Sequence, residues 1–246
     1  GQYVGLFMDY ETFGEHQWPE TGIHDFLRAL PGEVLKHNNL SFATPSEVIN
    51  EEDPVDEISI PKGSTTSWAD IERDTSCWLG NAMQWAYFKT IQREGRILRG
   101  YNGKEKEVWR YFQLSDIPYY MYTHGGAPGE VHSYFSPYPS PYDAGVTALS
   151  AIWDFEEKLR LKLNAADHPF VFTVNGIPTR DIVYTIAGLE DAVKRVPEES
   201  IRNHLAKRDI SNWLRYELGL NELAEKIDAL APDVKDVRAE LIKILR

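Results

Sequence analysis

Apolar residues recur at helical spacing along most of the sequence, and strand-like runs are confined to residues 2–9, residues 170–174 and the brief Phe42-Ala43 piece. A strand leaves its backbone groups unsatisfied until a neighbour pairs with it, so this distribution restricts the chain to a mainly α architecture with little sheet of its own. In the first run Val4, Leu6, Phe7 and Met8 stop abruptly at Asp9. Ile23, Phe26, Leu27 and Leu30 then have the spacing of an amphipathic helix, which Pro31 breaks or restarts, with Val34 and Leu35 on a following turn that ends at His37-Asn38-Asn39. Thr44-Pro45-Ser46-Glu47 supplies a capping hydroxyl, a proline at the first helical position and a glutamate three residues after the cap, so it opens a short helix. Residues 51–63 read as an acidic, exposed connection.

One long helix is predicted between residues 75 and 98, with Trp78, Leu79, Ala82, Trp85, Ala86 and Ile91 on its apolar face. Another spans 105–115 with Trp109 and Phe112, and Pro118 ends or kinks it. Gly, Pro and aromatic residues mark 123–139 as an ordered loop, and Ser140-Pro141-Tyr142-Asp143 opens a long helix to about Asn164. The composition then shifts: residues 170–174 are strand-like, Asn175-Gly176 is a turn signal, and 185–246 reads as four or five short helices. A boundary near 165–169 divides the chain into residues 1–165 and a small, mostly helical domain at 166–246.

Charge excludes several partners. With 38 Asp+Glu against 26 Lys+Arg the net charge is −12, which repels phosphate backbones and anionic lipid, so neither nucleic acid nor a membrane is expected as a partner. No apolar run approaches the roughly 20 residues that span a bilayer. Cys77 is the one cysteine, so no internal disulfide or cysteine-rich zinc site can form, and beside Trp78 it reads as a buried small apolar residue. Seven Trp, thirteen Tyr and ten Phe fit a packed core together with a sugar-stacking or peptide-binding surface. The opening on Gly1 within an apolar run reads as loss of an N-terminal portion, with a cytoplasmic location expected.

Asp9, Glu11, Glu15 and His16 fall within eight residues directly behind the apolar run. In barrels of alternating strands and helices catalytic side chains gather at such strand ends. Apolar neighbours such as Phe7 and Phe13 would raise the Asp9 pKa by desolvation, as a general acid requires. Spacing alone fits a loop-capping aspartate more simply. A metal site is not expected: Asp9 and Glu11 would share a strand face, but Glu15 and His16 are adjacent and no second histidine is in register. No Ser/His/Asp order, Gly-rich phosphate loop or His-x-x-x-His pair stands out, so no cofactor is expected either. His124-Gly125-Gly126 has the form of an oxyanion loop but lacks a Gly-x-Ser-x-Gly elbow. Ser211-Asn212-Trp213 and Asn203-His204 read as helix-end and packing residues.

The stretch FMDYETFGEHQWPETGIHDFLRALP (7–31) resembles the fourth characteristic segment of the α-amylase-type enzymes of glycoside hydrolase family 57. DTSCWLGNAMQ (74–84), WRYFQLSDIPYYM (109–121) and VHSYFSPYPSPYDA (131–144) resemble the same subgroup, in order, across about 160 residues. The resemblance implies the last strand of an incomplete barrel of seven strand–helix units, followed by a helical domain, acting on α-glucans (starch, glycogen or maltodextrin) with retention and without metal. It implies Asp9 as general acid/base, His16 and Trp18 lining the glucan site, and substrate contacts from Asp116, Tyr119 and Tyr120. Ile117-Pro118 stand where the family usually has His-Phe, so a contact made by that histidine is lost. The family's nucleophilic glutamate and His-Gln-Pro segment lie on earlier barrel strands, and only eight residues precede Asp9. The chain is therefore read as the C-terminal part of such a glycosidase, inactive by itself. Two alternatives stay open: a non-catalytic helical glucan-binding or interaction protein, and a 4-α-glucanotransferase or branching enzyme of the same family. Residues 199–227 resemble a small uncharacterised helical domain, with Trp213, Leu214, Leu218, Leu223 and Ile227 as its core.

Overall fold

A computed structural model describes residues 3–69, 73–124 and 136–246. The chain is mainly helical, with one small two-stranded sheet among the described residues, consistent with the end of an incomplete barrel followed by helical domains. It separates into two units, Gly1–Ile60 and Pro61–Arg246.

In the first unit residues 3–9 form no strand, and residue 2 lies outside the described residues. The backbone of a strand needs an adjacent strand, and none is supplied among the described residues of this unit. Short 3-10 turns at Tyr10–Thr12 and Pro19–Thr21 lead to helix α1 (Ile23–Val34) and helix α2 (Pro45–Glu51). Here the prediction of a break at Pro31 is corrected: α1 continues through it, and the Leu35 amide closes onto the Pro31 carbonyl at 3.1 Å. A proline removes one donor and does not by itself stop an exposed helix whose next turn is sound. At α2 the expected capping box is complete. The Thr44 amide donates to Glu47 Oε2 at 2.7 Å, and the Glu47 amide donates to Thr44 Oγ1 at 3.3 Å. No described residue from 3 to 60 is buried.

The second unit carries α3 (Ser76–Leu79), α4 (Ala82–Ile97), α5 (Glu105–Tyr111), α6 (Asp116–Tyr120) and α7 (Pro141–Leu163). Its remainder is strand β1 (Phe170–Val174), strand β2 (Ile177–Val183) and helices α8 (Ile186–Val193), α9 (Glu198–Ala206), α10 (Asp209–Tyr216), α11 (Asn221–Asp228) and α12 (Val237–Leu245). The single helix predicted over 75–98 is two helices, because Asn81 caps a new start in a reciprocal capping box with Gln84. The face it buries also differs. Gln84, Tyr87, Thr90, Glu94 and Ile97 point inward, whereas Trp85 is exposed. Three of those five are polar, so counting apolar residues places the inner face on the wrong side.

Helix α4 lies along α7, which buries Ala144, Gly145, Ile152, Glu156 and Leu159. A side chain on Gly145 would come within 2.7 Å of Met83 Sδ, so the flexible Met83 side chain would have to shift to admit one. Across this contact Arg93 grips Glu156 with two hydrogen bonds of 2.5 and 2.6 Å. Trp109 of α5 donates its indole N–H to the Ile91 carbonyl at 3.0 Å. The predicted loop 123–139 falls largely on residues 125–135, outside the described residues.

Helix α7 starts on the Ser140 cap and ends at Asn164, as predicted, with Asn164 in left-handed conformation. Asn175 and Gly176, with φ of 52° and 77°, form the two-residue hairpin turn joining β1 to β2, with Val174 opposite Ile177. Five short helices follow around Phe172, Val183, Leu189, Val193, Ile201, Ile210, Leu214 and Leu241, a core drawn from residues 166–245. Leu218, Trp213 and Ile227 are buried in it as expected, and Leu223 packs against it half-buried. His204 is a packing residue: Nδ1 donates to Asp209 Oδ2 at 2.7 Å, and Nε2 accepts the Thr173 amide at 2.9 Å. The Phe170 and Phe172 rings close around it, centred 5.1 and 5.6 Å away. No helix among the described residues is long and apolar enough to cross a membrane.

Glu94 is fully buried, and neither of its oxygens has a hydrogen-bond partner. Burial, then the adjacent Glu156 carboxylate, push its pKa up to about 8, with Arg93 opposing. A carboxyl with its folded pKa raised above the unfolded value stabilises the fold at low pH and loses that contribution as pH rises through the folded pKa. Stability should therefore fall between about pH 4.5 and 8 by up to about 1.4 kcal/mol per pH unit. Glu94→Gln should flatten that slope in denaturation midpoints measured across the window. Parallel wild-type and variant curves would show that Glu94 does not titrate there.

Candidate functional site

Asp9 occupies the N-cap position of the Tyr10–Thr12 turn, where its carbonyl accepts from the Thr12 amide at 3.2 Å and its carboxylate makes no capping bond. The following loop folds on itself. Glu11 O accepts from the amides of Glu15 (3.1 Å) and His16 (2.9 Å), and Gln17 N donates to Thr12 O at 3.1 Å. Gly14 has φ +137°, a conformation that disfavours a side chain. His24 of α1 fastens the loop through a 3.2 Å bond from Nε2 to the Phe13 carbonyl. Trp18 anchors the exit, its carbonyl taking the Thr21 hydroxyl at 2.7 Å, while its ring is exposed. Asp9, His16 and Trp18 thus ride on one hydrogen-bonded loop, all exposed, with no hydrogen bond among their side chains. Phe7 is 93% exposed and does not enclose the Asp9 carboxyl, and Phe13 is half-buried. The apolar shelter expected around Asp9 does not form within this unit.

Asp116, Tyr119 and Tyr120 lie in the second unit on α6, and the structure sends the two tyrosines to different neighbours. Tyr119 is buried and stacks on Trp78 with ring centroids 5.7 Å apart and planes 26° apart. Trp78 in turn meets Trp68 edge to face at 6.0 Å. Tyr120 packs toward α7 and tilts against Tyr138 at 6.0 Å. Burial, then the Asp116 carboxylate and Tyr138, raise its phenol above the ordinary value. Asp116, one helical turn before Tyr120, is exposed at the start of α6. Pro118 is tolerated in the first turn of α6, where its missing N–H has no helical partner to lose, and Ile117 packs against the α4–α7 cluster.

Gln84, which the apolar pattern overlooked, fixes this arrangement. Its Nε2 donates to the carbonyls of Cys77 (2.6 Å) and Pro118 (2.9 Å), and its Oε1 accepts from the amides of Gly80 (2.8 Å) and Asn81 (3.0 Å). Cys77 and Pro118 immediately precede Trp78 and Tyr119, so one buried carboxamide sets the stacked pair. The Asn81-x-x-Gln84 capping pattern was the available sequence signal. Trp78, Phe88, Phe112 and Pro118, with Gln113 and Ser115, line an open cleft of about 300 Å³. A more polar cleft of about 260 Å³ lies beside the hairpin turn, between Asn175, Glu199, Asn203 and Lys207. Among the described residues no three His, Cys, Asp or Glu side chains group to hold a metal ion.

The family model for glycosyl hydrolase family 57 matches residues 1–61, which carry Asp9, His16 and Trp18. The chain is also similar to a Methanocaldococcus jannaschii protein named "Putative alpha-amylase", with 41% identity over 165 residues, 63% of this chain and 35% of that protein. The chain thus spans about a third of the length of this curated relative. No solved structure matches it. Together these similarities establish a family-level link to the α-amylase-like proteins of family 57.

Replacing Gln84 with leucine leaves buried carbonyl and amide groups without partners, so Gln84→Leu should cost about 3 kcal/mol in urea unfolding. It should also weaken the near-ultraviolet circular dichroism of the Trp78–Tyr119 stack. A loss under about 0.5 kcal/mol would show that the carboxamide does not carry the α3–α4–α6 junction.

Proposed function

We propose that the chain is the acid/base-bearing C-terminal part of a retaining, α-glucan-active glycosidase of α-amylase type. The observation that carries this reading is the family match over residues 1–61, a segment that contains Asp9 directly behind an apolar run. On this reading the Asp9 carboxyl gives its proton to the glycosidic oxygen as the bond to the leaving sugar breaks, then takes a proton from the water or acceptor hydroxyl that attacks the glycosyl-enzyme. Retention requires a second carboxylate about 5–5.5 Å away as nucleophile. The reading assigns that group to a barrel segment outside these 246 residues.

The exposed Val4, Leu6, Phe7 and Met8 support it, since they are an apolar run left uncovered within this unit. Barrel neighbours covering that face would supply the desolvation that keeps an acid protonated near neutral pH. His16 and Trp18 would line the glucan site from the adjoining loop; on the helical unit Asp116 and Tyr120 are proposed, separately, as substrate contacts, and buried Tyr119 acts only through the Trp78 ring it stacks on. In this scheme residues 1–165 belong to the glycosidase and 166–246 form the appended helical domain, in a cytoplasmic protein.

The 246-residue chain on its own should release no reducing sugar from soluble starch, and clear turnover by it would overturn the fragment reading. In the enzyme with its barrel, Asp9→Asn should lower kcat by about 10²–10⁴-fold with an unchanged melting temperature. A variant turning over at the wild-type rate would remove Asp9 from the mechanism.

A further inference from the structure

We infer that the polar cleft beside the β1–β2 turn binds a short peptide with both termini free. The inference rests on the geometry of the C-terminal helices and hairpin, and it stands or falls independently of the glycosidase reading.

Helix α9 does for the outer edge of β1 what a third strand would do. Thr173 sits opposite Pro178, and its backbone groups turn toward α9: the amide donates to His204 Nε2 at 2.9 Å, and the carbonyl accepts from the Ser200 hydroxyl at 2.7 Å. Ser200 and His204 are both buried, so the floor of the cleft is fixed. Above it Glu199, Asn203 and Lys207 recur at intervals of four along α9, a spacing that sets them in one row facing Asn175 at the hairpin tip. Among the described residues the side chains of Asn175, Glu199, Asn203 and Lys207 make no hydrogen bond and no ion pair. The cleft of about 260 Å³ thus holds an unengaged carboxylate at one end of the row, an unengaged ammonium at the other, a carboxamide in the middle and a second carboxamide across from it. That volume lies toward the lower end of ligand-binding clefts and suits a small molecule.

The charges select the ligand. A simple anion meets Glu199 and a chain of net charge −12, and a simple cation meets Lys207. A neutral sugar could use the carboxamides but would leave both charges unanswered. A zwitterion answers both, and the spacing sets its length. Glu199 and Lys207 are separated by about 12 Å of helix axis. The two charges of a free amino acid flank a single carbon, whereas an extended tripeptide spans about 10 Å. Each carboxamide offers a donor and an acceptor, the same pair that a peptide bond presents. The peptide therefore lies along α9 with its ammonium at Glu199, its carboxylate at Lys207 and its amide groups against Asn203 and Asn175.

The test is a calorimetric titration of the 246-residue chain with trialanine, N-acetyl-trialanine, trialanine amide and alanine, for wild type, Glu199→Gln and Lys207→Met. Wild type should bind trialanine saturably at one site, and blocking either terminus should weaken binding about fivefold. Glu199→Gln should lose the preference for a free amine and keep that for a free carboxylate, and Lys207→Met should do the reverse. Both side chains are exposed, so the melting temperatures should match that of wild type. Absence of saturable binding by wild type overturns the site. Blocked peptides or alanine binding as tightly as trialanine, or terminus preferences that survive in both variants, overturn the assignment of the ligand to Glu199 and Lys207.

Discussion

The fully buried carboxamide of Gln84 is the interaction on which the helical unit depends. Two donors and one acceptor oxygen are spent on four backbone groups from α3, the α3–α4 turn and α6. No apolar side chain could replace it, because each of those groups would then be buried without a partner. The same bonds decide where Trp78 and Tyr119 stand, so the aromatic surface follows from the junction. Along the same helix Arg93 meets Glu156 across α7, and Glu94 lies unpartnered beside them. The polar inner face of α4 therefore specifies the packing of this unit as much as its apolar contacts do.

The two units differ in kind. Within the second, residues 166–245 gather an apolar core of buried aliphatic and aromatic side chains, whereas in the first no described residue from 3 to 60 is buried. What order the first unit shows comes from local devices: the Thr44–Glu47 capping box, the Glu11 carbonyl closing the loop, and His24 on Phe13. Such devices shape a loop but do not desolvate a carboxyl. The chemistry proposed for Asp9 needs an apolar enclosure, and within this unit the run from Val4 to Met8 is exposed and supplies none.

Features set by neighbours along the chain were legible in the sequence. The Thr44 and Ser140 caps, the Asn175-Gly176 turn, the end of α7 at Asn164 and the Trp213–Leu218 core each depend on residues a few positions apart. Features set by distant neighbours were not. Pro31 passes through α1 because nothing there demands the missing bond, and the buried face of α4 is hidden by Gln84, Thr90 and Glu94, whose burial depends on α6 and α7. Asp9 was singled out by its resemblance to a known segment, not by any pattern that spacing supplies. The Phe7 shelter failed for the same reason as the α4 face: adjacency in sequence does not establish enclosure in space.

The central claim, that the Gln84 carboxamide fixes the junction of α3, α4 and α6, is tested most directly by the indole N–H resonances of the isotopically labelled chain in wild type and Gln84→Leu. Trp109 and Trp213 serve as internal controls, because their indoles are bonded to the Ile91 and His168 carbonyls. The account predicts that Gln84→Leu shifts the Trp78 resonance, with Trp109 and Trp213 unmoved. A Trp78 resonance that stays fixed in Gln84→Leu would contradict it.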